Sequence, residues 1–382
     1  MKDDRTISSV PATSSPGNPG PNGLPAHPGP HGAAGAGGTE REIAPEKVLP
    51  SAFVWSLDRS SDVGRAMLAA TGRLSEAECE SAQLDSAVVM AHVLGVSKSW
   101  LYAHPSRTLA EGEIVQFEAL IRRRMSREPV AYLVGSKSFY GLDVSVDPRV
   151  LIPRPETELL VERVLAYLKG LIAEGWAPRV ADVGTGSGAI AVALAVNAPE
   201  ITVYATDLSE DALVVAARNV WRYGVGDQVQ LLPGHLLDAV PEPVDVIVAN
   251  LPYVATPILA LLPPEVRDYE PILALDGGPD GLAVISAFLE DVGRQANDHG
   301  RDMPDGAGRR ARHGGQPARV LRSSPLGGGR IYLEIGSDQG PAVHAMAEAA
   351  FADMRVDVLA DYAGLDRLVV VWSPVPAAGG PS

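Results

Sequence analysis

The chain has 382 residues, 46% of them apolar and 21% charged, and a formal net charge of −15. That length suits two compact units of about 100–200 residues each plus tails, and the acidic balance weighs against a nucleic-acid partner, whose phosphates favour a basic face. One cysteine, Cys79, leaves no intrachain disulfide or cysteine-anchored metal cluster, and no apolar run nears the about 18–20 residues of a membrane span, so a monomeric cytoplasmic protein holding no metal is expected.

Residues 1–50 include SSPGNPGPNGLPAHPGPHGAAGAGG, too poor in apolar side chains to offset the entropy of ordering, and are predicted to be a disordered tail. Residues 51–128 are predicted to form a helical domain. Leu84, Val88, Ala91 and Leu94 recur at helical spacing before Gly95, a natural C-terminal stop. A capping box at Thr108–Glu111 opens another helix, with Ile114, Phe117, Leu120 and Ile121 on one face. The basic run Arg122–Arg124 at its end suits the negative pole of the helix. Over 129–154, Gly135, Gly141, Pro148 and Pro153 punctuate alternating residues, which predicts a linking β-hairpin.

A helix starting at Pro155 with acids in its first turn opens the main domain, 155–373. Strands are predicted at 179–183, 201–206, 228–232, 244–249, 330–335, 355–359 and 367–372. Their alternation with helical segments implies an α/β fold, Rossmann-like, with a mostly parallel sheet that binds ligands at the carboxyl ends of its strands. Residues 294–329, rich in arginine and glycine, break the pattern and are predicted to be a disordered insertion, and residues 374–382 a second tail.

Where the first strand of this domain meets its helix, Asp182 precedes Gly184, Thr185, Gly186, Ser187 and Gly188. Glycines there let a ligand approach the backbone. The spacing is G-x-G-x-G rather than the dinucleotide G-x-G-x-x-G, and a carboxylate beside it repels a pyrophosphate but suits an ammonium and a sulfonium. S-adenosylmethionine is therefore the expected cofactor. Asp207, at the end of the next strand, is placed to accept the ribose hydroxyls, and Pro233–Asp238, with His235 and Leu236, to wall the adenine.

The fourth strand delivers Asn250, Leu251, Pro252 and Tyr253. An amide or ring NH2 is a poor nucleophile because its lone pair is delocalised. The Asn250 side-chain oxygen and the Leu251 carbonyl can each accept one N–H from such a group, fixing the nitrogen toward a methyl donor and stabilising the charge that develops. Pro252 stiffens the loop, Tyr253 packs on the planar acceptor, and no general base is required before transfer.

With these residues, the chain resembles the peptide chain release factor glutamine methyltransferases, the HemK/PrmC family. The similarity spans roughly residues 60–373 and is most specific over Glu128–Leu133, Ser138–Leu142 and Val150–Glu158, with Glu270–Pro271, Ala274–Gly278, Tyr332–Gly336 and Asp361–Arg367. The resemblance implies methylation of the glutamine amide in the GGQ loop of class-1 release factors. It also implies donor contacts at Gly184–Gly188, Asp207, Leu236 and Asn250, and acceptor contacts at Asn250–Tyr253. Leu251 replaces the first proline of the usual Asn-Pro-Pro-Tyr, and His235 stands where an acid is common. The predicted insertion contains His313-Gly314-Gly315-Gln316, read as a chance copy of the substrate tripeptide. The alternative reading is an amino-directed rRNA or DNA adenine-N6 methyltransferase, which shares the tetrapeptide; the acidic balance and the 128–158 block favour glutamine.

Overall fold

In the computed structural model, which describes residues 55–297 and 320–373, a side-chain cap starts the first helix. Asp62 accepts the Arg65 N–H to open α1 (Val63–Glu76), and Gly95, in the left-handed region at φ 64°, stops α2 (Ala82–Leu94). Ser97 caps α3 (Lys98–Ala103) by accepting the Trp100 N–H. The next helix, α4 (Glu111–Met125), has its N-cap at Ala110, two residues after the predicted Thr108. Thr108 is drawn instead into an antiparallel bridge with Asp62, and the Glu113 carboxylate accepts the Ala110 N–H at 2.8 Å.

Ile114, Phe117, Leu120 and Ile121 form the buried face of α4, as their spacing predicts. On α2 the structure corrects the prediction: Leu84 is 51% exposed, and Ala82, Ser86, Val89 and Met90 are buried instead. Apolar residues lie on two sides of α2, and an ion pair decides between them. Asp85 turns inward to meet Arg124 at 2.7 Å, so the residues flanking it go in with it. The basic run of α4 therefore does more than complement the helix end, since Arg124 is 5% exposed and also reaches Glu265 at 2.9 Å.

A short helix that the sequence pattern missed, α5 (Val130–Val134), precedes the antiparallel hairpin of β1 (Ser136–Phe139) and β2 (Leu142–Ser145). Then α6 (Thr157–Ala173) leads into β3 (Arg179–Val183), α7 (Ala189–Asn197), β4 (Thr202–Asp207), α8 (Glu210–Arg222), β5 (Val229–Pro233) and β6 (Val246–Ala249). After two 3-10 turns flanking α9 (Pro264–Arg267) come α10 (Ala283–Asn297), the two-residue strands β7 (Ser323–Ser324) and β8 (Gly327–Gly328), then β9 (Arg330–Glu334), α11 (Gly340–Ala350), β10 (Arg355–Ala360) and β11 (Asp366–Trp372).

Seven of these strands form one sheet in the order β10-β11-β9-β6-β3-β4-β5. It is parallel from β9 to β5, and β11 runs antiparallel to both its neighbours. Each predicted strand lies within two residues of an observed one. Strand alternation splits the core: Val246 and Val248 pack with α6, α7 and α8 on one face, while Ile247 and Ala249 pack with α10 and α11 on the other. The result is the three-layer α/β architecture that the sequence predicts.

The predicted disorder of 294–329 is corrected at both ends. Helix α10 runs through Arg294 to Asn297, and residues 320–322 pair with Val244 in the segment that leads into the central strand β6. The Val244 N–H donates to the Val320 carbonyl at 2.9 Å, and Arg322 pairs with the buried Asp245 at 3.0 Å while lying over the Trp176 ring. Residues 298–319, with His313–Gln316, and the predicted tails lie outside the described residues. Among the described residues, no helix is long and apolar enough to cross a membrane and no cluster of metal-ligating side chains occurs.

Candidate active site

The glycine loop after β3 needs glycine at its turns. Gly184, Gly186 and Gly188 have φ of 72°, 56° and 76°, a region that side chains with a Cβ disfavour. A Cβ on Gly188 would sit 3.1 Å from the Ala216 Cβ of α8. The Thr206 carbonyl, on the neighbouring strand, accepts the N–H groups of both Gly184 and Thr185 at 2.9 Å. Two parallel strands therefore hold one loop.

Asp182 is fully buried beneath it. Its Oδ2 accepts the Thr185 hydroxyl at 2.6 Å and the Ala191 N–H at 3.1 Å, whereas its Oδ1 has no hydrogen-bond partner among the described residues. Burial pushes this carboxyl up to about 7 despite those two bonds. Asp207, at the end of β4, accepts the Gly186 N–H on Oδ2 and the Ser209 N–H on Oδ1, each at 2.8 Å, and burial raises its pKa too. Nearby, Leu236 sits in the left-handed region at φ 49°, and its carbonyl accepts the Thr206 hydroxyl at 2.8 Å.

Asn250 follows β6, and its Nδ2 donates to the Thr157 hydroxyl at 3.1 Å at the start of α6. The loop it opens is clamped from behind. Val254 bridges Asp276 in parallel, with the Gly277 N–H donating to the Val254 carbonyl at 2.8 Å, and Gln339 Nε2 donates to the Tyr253 carbonyl at 3.0 Å. A Cβ on Gly277 would meet the Pro252 carbonyl at 2.8 Å, so that close approach requires glycine.

These elements surround one cavity of about 290 Å³ at the carboxyl ends of the parallel strands. Gly184, Thr185, Gly186, Ser187, Asp207, His235, Leu236, Asn250, Leu251 and Pro252 all line it. Three of the predicted residues do not. Asp182 lies under the loop and pins it, and Gly188 is packed against α8. The Tyr253 side chain joins the apolar cluster of α10 and α11, where burial pushes its hydroxyl up to about 12. The wall also includes Arg149, Arg154 and Thr157, which the sequence reading left without a role although they fall in its most specific block. Arg154 is anchored by Glu270, at 2.5 Å.

A doubly wound α/β fold with a glycine loop, a carboxylate on the adjacent strand and an Asn-Leu-Pro-Tyr turn facing the same cavity has the build of a methyltransferase. Comparison with known proteins narrows the class. Residues 65–135 match the family profile described as PrmC N-terminal domain, and residues 162–289 match that of Ribosomal protein L11 methyltransferase (PrmA). The release factor glutamine methyltransferase of Moorella thermoacetica is 39% identical over 304 residues, covering 79% of this chain and 95% of its own. That of Cereibacter sphaeroides is 39% identical over 309 residues, covering 81% and 98%. A solved protein-(glutamine-N5) methyltransferase (release factor-specific) from Alicyclobacillus acidocaldarius is 27% identical, covering 60% of this chain and 99% of its own, with a TM-score of 0.31. The chain belongs to the release factor glutamine methyltransferase family.

Proposed function

We propose that the protein transfers a methyl group from S-adenosylmethionine to the side-chain amide nitrogen of the glutamine in the GGQ loop of class-1 release factors. The observation that carries this reading is the Asn250 side chain. Its nitrogen is engaged by Thr157, and its oxygen makes no hydrogen bond among the described residues, so an acceptor is left for an N–H in the cavity.

The residues present fit the donor. The Gly184–Ser187 loop brings its backbone to the cavity, and Asp207 brings a carboxylate to the same wall. That environment favours a cation over a pyrophosphate. When bound, S-adenosylmethionine supplies an electrophilic methyl on a positively charged sulfur. Asp207 and Leu236 would hold its nucleoside part, and Gly184–Ser187 its amino-acid part.

Asn250 Oδ1 and the Leu251 carbonyl would each accept one hydrogen of the glutamine NH2, holding the nitrogen in line and stabilising its growing positive charge. The Leu251 substitution for proline removes a ring but leaves this carbonyl in place. Its side chain packs against the glycine loop, and a Cβ on Gly184 would lie 3.3 Å from Leu251 Cδ2. Tyr253, half-buried and packed against the α10–α11 cluster, would support the loop rather than stack on the acceptor. We further propose that residues 51–128 form a substrate-recognition domain, 129–154 a linker and 155–373 the catalytic domain.

The test offers radiolabelled donor to purified release factor beside naked ribosomal RNA. Label on the release factor is the expected result. Label confined to the RNA would replace this reading by amino-directed nucleobase methylation.

A further inference from the structure

Glu334, the last residue of β9, is 1% exposed, and its carboxyl oxygens meet no donor in ordinary hydrogen-bond geometry among the described residues, the Thr157 hydroxyl and the Asn250 amide being the donors set beside them. A carboxyl group in that state costs several kcal/mol when ionised, and packing alone does not require it, because a leucine or methionine fills such a place better. Its neighbours give it a purpose. Ala249 is in register with Leu333 across the parallel β6–β9 pair, so the next residues along, Asn250 and Glu334, leave the two strands side by side. Alternation sends both side chains to the sheet face that carries α6. Thr157 stands there, accepting the Asn250 amide N–H at 3.1 Å. Glu334 faces the Thr157 hydroxyl, the Arg367 guanidinium, the Glu156 carboxylate and the Asn250 amide; burial dominates its titration, and the Thr157 hydroxyl is the group that most favours its charge.

We infer that Thr157 and Glu334 are positioning residues that set which way round the Asn250 amide faces. A threonine hydroxyl by itself is ambivalent, because it can donate to an amide oxygen or accept from an amide nitrogen. The carboxyl in its ionised form, which can only accept, removes that ambivalence. When the Thr157 hydroxyl donates its hydrogen to Glu334, only its lone pairs remain for Asn250, and these must meet Nδ2. Asn250 Oδ1 is then turned to the cavity, where an incoming NH2 needs an acceptor. The opposite orientation would present an N–H to an N–H, which blocks the acceptor. This inference rests on the proposed glutamine chemistry.

The test compares Thr157→Val, Thr157→Ser and Glu334→Met in full-length protein, with release factor as acceptor. Thr157→Val keeps the shape and loses the hydroxyl. Its kcat is expected to fall at least about tenfold, in the range of a lost transition-state hydrogen bond, with donor affinity and melting temperature unchanged. Thr157→Ser, which restores the hydroxyl, should recover most of the rate. Glu334→Met should lower kcat comparably while melting no earlier than wild type, an outcome that a merely structural role does not produce, and it carries the test should Thr157→Val fail to fold. Wild-type kcat in Thr157→Val or Glu334→Met, or a Thr157→Ser as slow as the valine variant, would overturn the inference. A wild-type enzyme that leaves release factor unlabelled would instead overturn the proposed function, and the inference with it.

Discussion

At the scale of single residues, the site combines groups held for chemistry with groups held at a cost. Asn250 is the first kind. On the proposed chemistry, Asn250→Ala removes an acceptor required only as the glutamine nitrogen becomes positive, so kcat should fall about 100- to 1,000-fold while donor binding, measured by calorimetry, persists. Asp182 and Glu334 are the second kind, both pushed up to about 7 by burial. For a carboxyl whose folded pKa is raised, the folded state holds the proton more tightly. Its contribution to stability is therefore greatest below the ordinary carboxylate range and is lost as pH rises through about 7. Glu334→Met escapes that loss. It should melt higher than wild type by a margin that widens between about pH 5 and pH 8, and a constant margin would refute a raised pKa. The glycines, Asp207 and Asn250 were legible in the sequence because their spacing off predicted strands is short-range information. Thr157 and Glu334 were not, because they lie 93 and 84 residues from Asn250 and meet it only through strand order. For the same reason the tetrapeptide gave no sign that the half-buried Tyr253 side chain packs against the α10–α11 cluster.

Among the elements, those set by local chemistry were foreseen best. All seven strands of the main sheet and the face of α4 follow from alternation and helical spacing. The face of α2 does not, because Leu84 and its periodic partners compete with a face whose claim depends on Arg124, 39 residues away. That ion pair reaches further. Glu265 of α9 accepts from Arg124 at 2.9 Å and from Arg127 at 2.7 Å, and the Tyr269 hydroxyl donates to the Ser126 carbonyl at 2.6 Å. The first helices are thus tied to the segment that follows the Asn250–Tyr253 turn. Arg124→Met strands the Asp85 carboxylate in a buried position and should destabilise the fold by about 3–5 kcal/mol, read by denaturant titration. A loss below about 1 kcal/mol would mark the pair as dispensable. Gly188→Ala tests the other packing joint. With φ at 76° and Ala216 so close, it should cost about 1–3 kcal/mol and weaken donor binding.

For the molecule as a whole, the sheet order places the glycine loop after β3 beside the Asn250–Tyr253 turn after β6, at the carboxyl edge where parallel strands leave room for a ligand. The α/β class was legible because strand–helix alternation is a sequence property, and the order of strands was not, since nothing local encodes which of them are neighbours. The net charge of −15 points in the same direction as the family, toward a protein rather than a nucleic-acid acceptor. The most direct measurement is tandem mass spectrometry of release factor incubated with donor and either wild-type enzyme or Asn250→Ala. The account predicts a single added methyl on the amide of the GGQ glutamine with the wild type and none with the variant in the same time. A methyl on another residue, or equal yield from both enzymes, would contradict it.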